Sequence, residues 1–118
     1  MSSGAIRKAI APIKKRLSDH IKTATELSQI DNPPEAASAN ALFDRIELSI
    51  AKLSSSVKSL SERDKQWCDL MIDMDTKQAE AEELLYETTT ASTTGYLQVL
   101  ENGNELISLL ECKKKQLL

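Results

Sequence analysis

Apolar residues in the first thirty positions recur in alternating steps of four and three. Ile6, Ile10, Ile13 and Leu17 lead into His20, Ala24 and Leu27, and the positions between are mostly charged or hydroxylated. Such a rhythm holds residues on one side of an α-helix, which predicts a first helix over about residues 4–30. Pro12 falls inside it and removes one backbone donor, so a kink or a late start is expected near residues 8–12. The rhythm resumes at Ala39 and runs through Phe43, Ile46, Ile50, Leu53, Val57 and Leu60. It continues through Asp64, Trp67, Met71, Met74, Gln78, Ala81 and Leu85 with no Gly or Pro to stop it. Helix two is therefore expected over about 34–87, a rod of roughly 50 residues and ~75 Å.

Punctuation is sparse. In Asp31–Asn32–Pro33–Pro34–Glu35 the asparagine can cap, the prolines suit a first helical turn, and Glu35 completes a capping box. The β-branched run from Thr88 to Thr94, closed by Gly95, predicts the second turn. Helix three follows over about 96–114 with Leu97, Leu100, Ile107 and Leu110 on one side, and Gly103 weakens its middle.

The first two helices can be folded against each other at Pro33. Ile6 then meets Leu60, Ile10 meets Val57, Ile13 meets Leu53, and Leu17 meets Ile50. His20, Ala24 and Leu27 meet Ile46, Phe43 and Ala39. Seven aligned layers predict an antiparallel hairpin with Ile6, Ile10, Ile13, Leu17, Phe43, Ile46, Ile50, Leu53, Val57 and Leu60 as its core. Folding at residue 91 pairs Leu85 with Leu97, Ala81 with Leu100, Gln78 with Asn104 and Met74 with Ile107, a second hairpin. The fold class expected is all-α. It is an elongated antiparallel hairpin or three-helix bundle with one long central helix and coiled-coil-like packing, a single domain over 1–118.

Composition agrees with that picture. Three glycines and three prolines in 118 residues mean few turns. Phe43, Trp67, Tyr86 and Tyr96 are the only aromatics, and a core of Leu, Ile, Ala and Met suits helices packed ridge into groove. The net charge of -3 conceals an asymmetry. Residues 1–30 hold six bases against two acids, residues 31–111 sixteen acids against six bases, and Lys113–Lys115 close the chain in positive charge. Pairing of the basic first helix with acidic helices of the same chain or of a second subunit is expected.

Little in the sequence can do chemistry. Cys68 and Cys112 stand alone and His20 is the sole histidine, so a zinc site lacks ligands. No phosphate loop, nucleophile elbow or dinucleotide fingerprint occurs, so no catalytic, cofactor-binding or metal residue is assigned and the chain is expected not to be an enzyme. Unclustered thiols, no spanning run and no signal peptide lead to an expectation of an intracellular, cytoplasmic protein. His20 on an apolar seam reads as an edge histidine with its polar tip in solvent, the sharper alternative being a pH switch. Glu80, Glu82, Glu83 and Glu87 read as a solvated face. Beyond Leu60, where helix one is expected to run out, Asp64, Trp67, Met71 and Met74 form the candidate interface. Trp67 would lie in a gap between helix one and helix three, half-covered and available to a partner.

The succession of segments resembles the helical N-terminal part of Gag-type polyproteins of BEL/Pao LTR retrotransposons, especially nematode ones. The residues that carry the resemblance are Ala5–Ile6–Arg7–Lys8 ahead of a basic helix and Glu62–Arg63–Asp64–Lys65–Gln66–Trp67 closing a Leu/Ser/Lys/Glu helix. Glu80–Ala81–Glu82–Glu83 follow, and Thr94–Gly95–Tyr96–Leu97 open the last helix. The resemblance implies a segment ahead of a capsid-like region that contributes to particle assembly. The chain would then be a fragment of such a polyprotein or a host protein derived from one. The functional expectation is a non-catalytic self-association module forming a dimer or higher homo-oligomer. A small adaptor of the syntaxin-like three-helix type that binds another protein is the runner-up. Membrane or RNA contact through the basic first helix is the third reading.

Overall fold

A computed structural model describes residues 3–91 and 95–118. Its elements are α1 (Ser3–Ser28), α2 (Ala36–Ile72), α3 (Thr76–Thr90) and α4 (Tyr96–Gln116), with no strand among the described residues. The molecule is an all-α rod measuring 62 × 23 × 19 Å.

Helix α1 passes through Pro12 without the expected late start. Pro12 is exposed, so the Lys8 carbonyl left without a donor can be met by water. Helix α2 starts two residues later than expected. Asn32 precedes Pro33, and Pro33 precedes Pro34, and a following proline pushes each toward extended backbone. The N-cap is Glu35, with no side-chain cap bond, and Asn32 instead donates to Gln116 Oε1 at 3.3 Å.

The long central helix is broken. Asp73–Met74–Asp75 separates α2 from α3, and the Asp75 carboxylate accepts from the Gln78 N–H at 2.8 Å. Asp75-x-x-Gln78 is a capping arrangement that starts a new helix although the apolar rhythm runs through it unbroken. Farther on, the threonines expected to end the helix extend it. Thr88, Thr89 and Thr90 each return their hydroxyls to the carbonyl four residues back, at 2.8, 2.8 and 2.9 Å. The rest of that expected turn, residues 92–94, lies outside the described residues.

Packing around α2 follows a heptad. Ile46, Leu53, Leu60 and Trp67 are each 0% exposed and mark its most central line. Residues one step behind (Leu42, Ser49 and Ser56) are also buried, while Phe43, Ile50 and Val57 on the other flank are half-buried. Two flanks are needed because α2 meets two helices. Ser49 and Ser56 border the groove toward α1. Val57 faces α4, where a Cβ at Gly103 would stand 3.0 Å from it. The core is therefore the bundle of α1, α2 and α4, with Ile6, Ile10, Ile13, Leu17, Ala24 and Leu27 supplied by α1.

Two expectations of register are corrected. Ile6 borders a surface depression with Gln66, Asp69, Leu70 and Asp73, so α1 reaches well past Leu60. The second hairpin does not form. Gly103 lies against Leu17 and Val57, and Lys114 stands 5.9 Å over the Phe43 ring, so α4 runs antiparallel along α2. With helix two broken at Asp73, the short α3 folds back over the end of α2 and leaves the α1–α2 surface to α4.

Candidate functional site

Three of the four aromatics gather at the end of the rod where α3 folds over. Trp67 and Tyr86 rings meet edge to face with centroids 5.1 Å apart, and Tyr86 and Tyr96 at 6.5 Å. Edge-to-face contact suits the ring quadrupoles and adds to the burial of apolar area. Trp67 is fully buried within one chain, which corrects the expectation of a half-covered indole. The gap assigned to it is closed by the start of α1, by α3, and by Tyr96 at the head of α4.

Polar atoms in this cluster are matched to one another. The Trp67 indole N–H donates to Glu82 Oε2 at 3.0 Å, and the Ser3 hydroxyl donates to Glu82 Oε1 at 2.7 Å. The Tyr86 and Tyr96 hydroxyls both donate to Asp64 Oδ1 at 2.6 Å. Four helices are thus tied through two carboxylates. The Ser3 hydroxyl bond holds the Glu82 carboxyl below its ordinary value, outweighing partial burial, with Trp67 and Arg7 acting in the same sense. Burial first, then the hydrogen bond to Asp64, pushes both phenols well above their usual range. Phenols held protonated serve as donors and not as bases, so the cluster locks α3 in place.

The proposed interface residues are distributed differently from one another. Asp64 is half-buried and spent on the two tyrosines, and Trp67 is core. Met71 borders a groove of about 470 Å³ between the end of α2 and α3, with Cys68, Ile72, Ala79 and Tyr86 beside it. Met74, half-buried, stands in the α2–α3 link and not on that wall. Ile72 is 78% exposed and Leu84 on α3 66% exposed. Glu83 and Glu87 form the rim, and Glu80 is exposed on the same helix. Glu82 departs from the expected solvated face by turning inward. No signal in the apolar rhythm marked Tyr86, Tyr96, Glu82 or Ser3 as a group. The Asp75 cap, once recognised, would have folded α3 back and brought Glu82 toward Trp67.

Within one chain the basic first helix acts on the acidic helices through Arg7, whose charge helps to lower Glu82. Among the described residues the one ion pair is Lys114 with Glu111 at 3.3 Å, within α4. Exposed Lys8, Lys15 and Lys22 form a line on α1 and make no ion pair among the described residues. His20 is half-buried at the α1–α2 groove. Among the described residues no group of side chains is arranged to hold a metal ion, and no helix is long and apolar enough to cross a membrane. A scan of protein-family models, a search of curated proteins and a search of solved structures each find no match to the chain.

Proposed function

We propose that this protein is a non-catalytic helical assembly module that binds a second copy of itself through the groove between α2 and α3. The observation that carries the reading is Ile72, 78% exposed on the wall of that groove beside Met71 and Ala79. Burying an isoleucine contributes about 1.5–3 kcal/mol, which a monomer leaves unused. Charge points to the occupant. Glu80, Glu83 and Glu87 are exposed along α3, and Lys8, Lys15 and Lys22 repeat on α1 at the same seven-residue spacing as Glu80 and Glu87. That interval is ~10.5 Å on either helix, so α1 of one copy can lie along α3 of another with charges in register. Self-association is also what the resemblance to Gag-type N-terminal helices implies.

Light scattering coupled to chromatography, run over a hundredfold range of concentration, tests this. The wild-type mass should rise with concentration, and Ile72→Asp should remain monomeric at every concentration with unchanged helix content. Reversing Glu80 and Glu87 to Lys should weaken association, and reversing Lys8 and Lys15 to Glu in the same chain should restore it. A wild-type monomer throughout would refute the reading.

A further inference from the structure

On the opposite flank of α2 from α4, the groove between α1 and α2 has a chemistry that the assembly surface does not use. It comprises two adjoining hollows of about 150 and 340 Å³, and His20 and Lys52 border both. Arg45 stands at one end and Arg16 at the other, so four cationic or potentially cationic side chains face one trough. No carboxylate lines either hollow. Concentrating like charge in a concavity is unfavourable unless a counter-charge enters, and such clefts focus the field on an incoming anion.

The hydroxyls point the same way. Ser49 and Ser56 are 5% and 7% exposed, and each borders the trough. Among the described residues neither serine makes a side-chain hydrogen bond, and none of the four basic side chains makes a hydrogen bond or ion pair, although Thr25 and Thr88–Thr90 return theirs to their own helices. Among the described residues no buried side-chain polar atom lacks a partner, so the two hydroxyls keep access to solvent, and the hollows they border give them that access. Ser55 and Ser59 add hydroxyls along the same wall.

We propose that this groove binds a soluble anion carrying two or more phosphate groups. Arginine forks match phosphate oxygens in pairs, and hydroxyl donors complete the remaining acceptor positions. Arg45 and Lys52 are two turns apart, ~10.5 Å, and Arg16 and His20 one turn, ~6 Å, which spaces the charges for several phosphates in a row. No aromatic side chain lines the groove, so stacked nucleobases gain nothing there. A trough sunk between two helices also suits a small ligand better than a flat bilayer.

Titration of the full chain with sodium tripolyphosphate at constant ionic strength, followed by calorimetry and by amide chemical shifts, tests the proposal. Saturable binding is expected, with shifts concentrated at residues 16–23 and 45–59, and sulfate should give no comparable response. Arg45→Glu with Lys52→Glu should weaken binding at least tenfold. Lys58→Glu with Lys65→Glu, the same change in net charge on exposed α2 positions outside the groove, should leave it within about twofold. Ser49→Ala with Ser56→Ala should weaken it severalfold with helix content unchanged. Absence of saturable binding would overturn the proposal, as would equal weakening by the two double charge reversals. Adsorption to vesicles bearing a phosphoinositide headgroup with no response to tripolyphosphate would also overturn it, in favour of a membrane surface.

Discussion

Gly103 shows how a single position can oppose a local rule. Glycine weakens a helix by about 1 kcal/mol relative to alanine, and the sequence alone marks this position as a flaw. In the bundle it is the point where α4 comes nearest to its neighbours. A Cβ there would lie 3.0 Å from Val57 Cγ2 and 3.2 Å from Leu17 Cδ1. Val57 is β-branched and stiff about its first torsion, so it yields less readily than the tip of a longer chain. For Gly103→Ala the gain in helix propensity and the crowding roughly offset each other. Gly103→Val adds two methyl groups where one Cβ is already tight and should cost about 1–3 kcal/mol, read from the midpoint of urea unfolding. An unchanged midpoint would mean that α4 does not pack on Leu17 and Val57.

Helix α3 is the element least secured by apolar packing, since it contributes no buried residue. Its attachment rests on the Asp75 cap, the Glu82 and Tyr86 hydrogen bonds, and the edge-to-face contact with Trp67. Asp75→Ala should remove about 1 kcal/mol of cap stabilisation. Amide exchange across residues 76–90 should quicken several-fold while the middles of α1, α2 and α4 keep their protection. Uniform quickening across all four helices would show that α3 belongs to one cooperative unit with the bundle. The same element marks where sequence reading succeeds and where it stops. The helical period, both faces of α1 and the central positions Ile46, Leu53 and Leu60 were legible because burial imposes a 3.5-residue rhythm. The partner of each face was not, because a rhythm states that a side is covered without stating by what. The break at Asp73–Met74–Asp75 separates one rod of roughly 50 residues from a folded-back end, and with it α4 takes the α1–α2 surface and Trp67 is enclosed. The polar cluster was illegible for a related reason. Ser3, Asp64, Glu82 and the tyrosines come from four helices and share no spacing.

At the scale of the whole molecule, one end of the rod is held by charge-dependent bonds and the remainder by apolar packing, so the two should part as pH falls. The Glu82 carboxyl is depressed below its ordinary value of 4.5 by the Ser3 hydroxyl, with help from Trp67 and Arg7. A carboxyl whose folded value is lowered stabilises the fold fully above its unfolded value, and that contribution is lost as pH falls through the folded value. Acid should therefore release the hold of Glu82 on Ser3 and Trp67 below the ordinary carboxylate range. The line of Ile46, Leu53 and Leu60 against α1 and α4 carries no titrating group and should persist. Between about pH 5 and 2, the tryptophan emission is expected to shift and the α3 amides to broaden, while most of the helical circular dichroism remains. Glu82→Gln cannot titrate, and it should weaken α3 at neutral pH while flattening this acid step. A single transition in which tryptophan emission and total helix content fall together in both proteins would place the acid-sensitive contacts elsewhere and make α3 an integral part of the core.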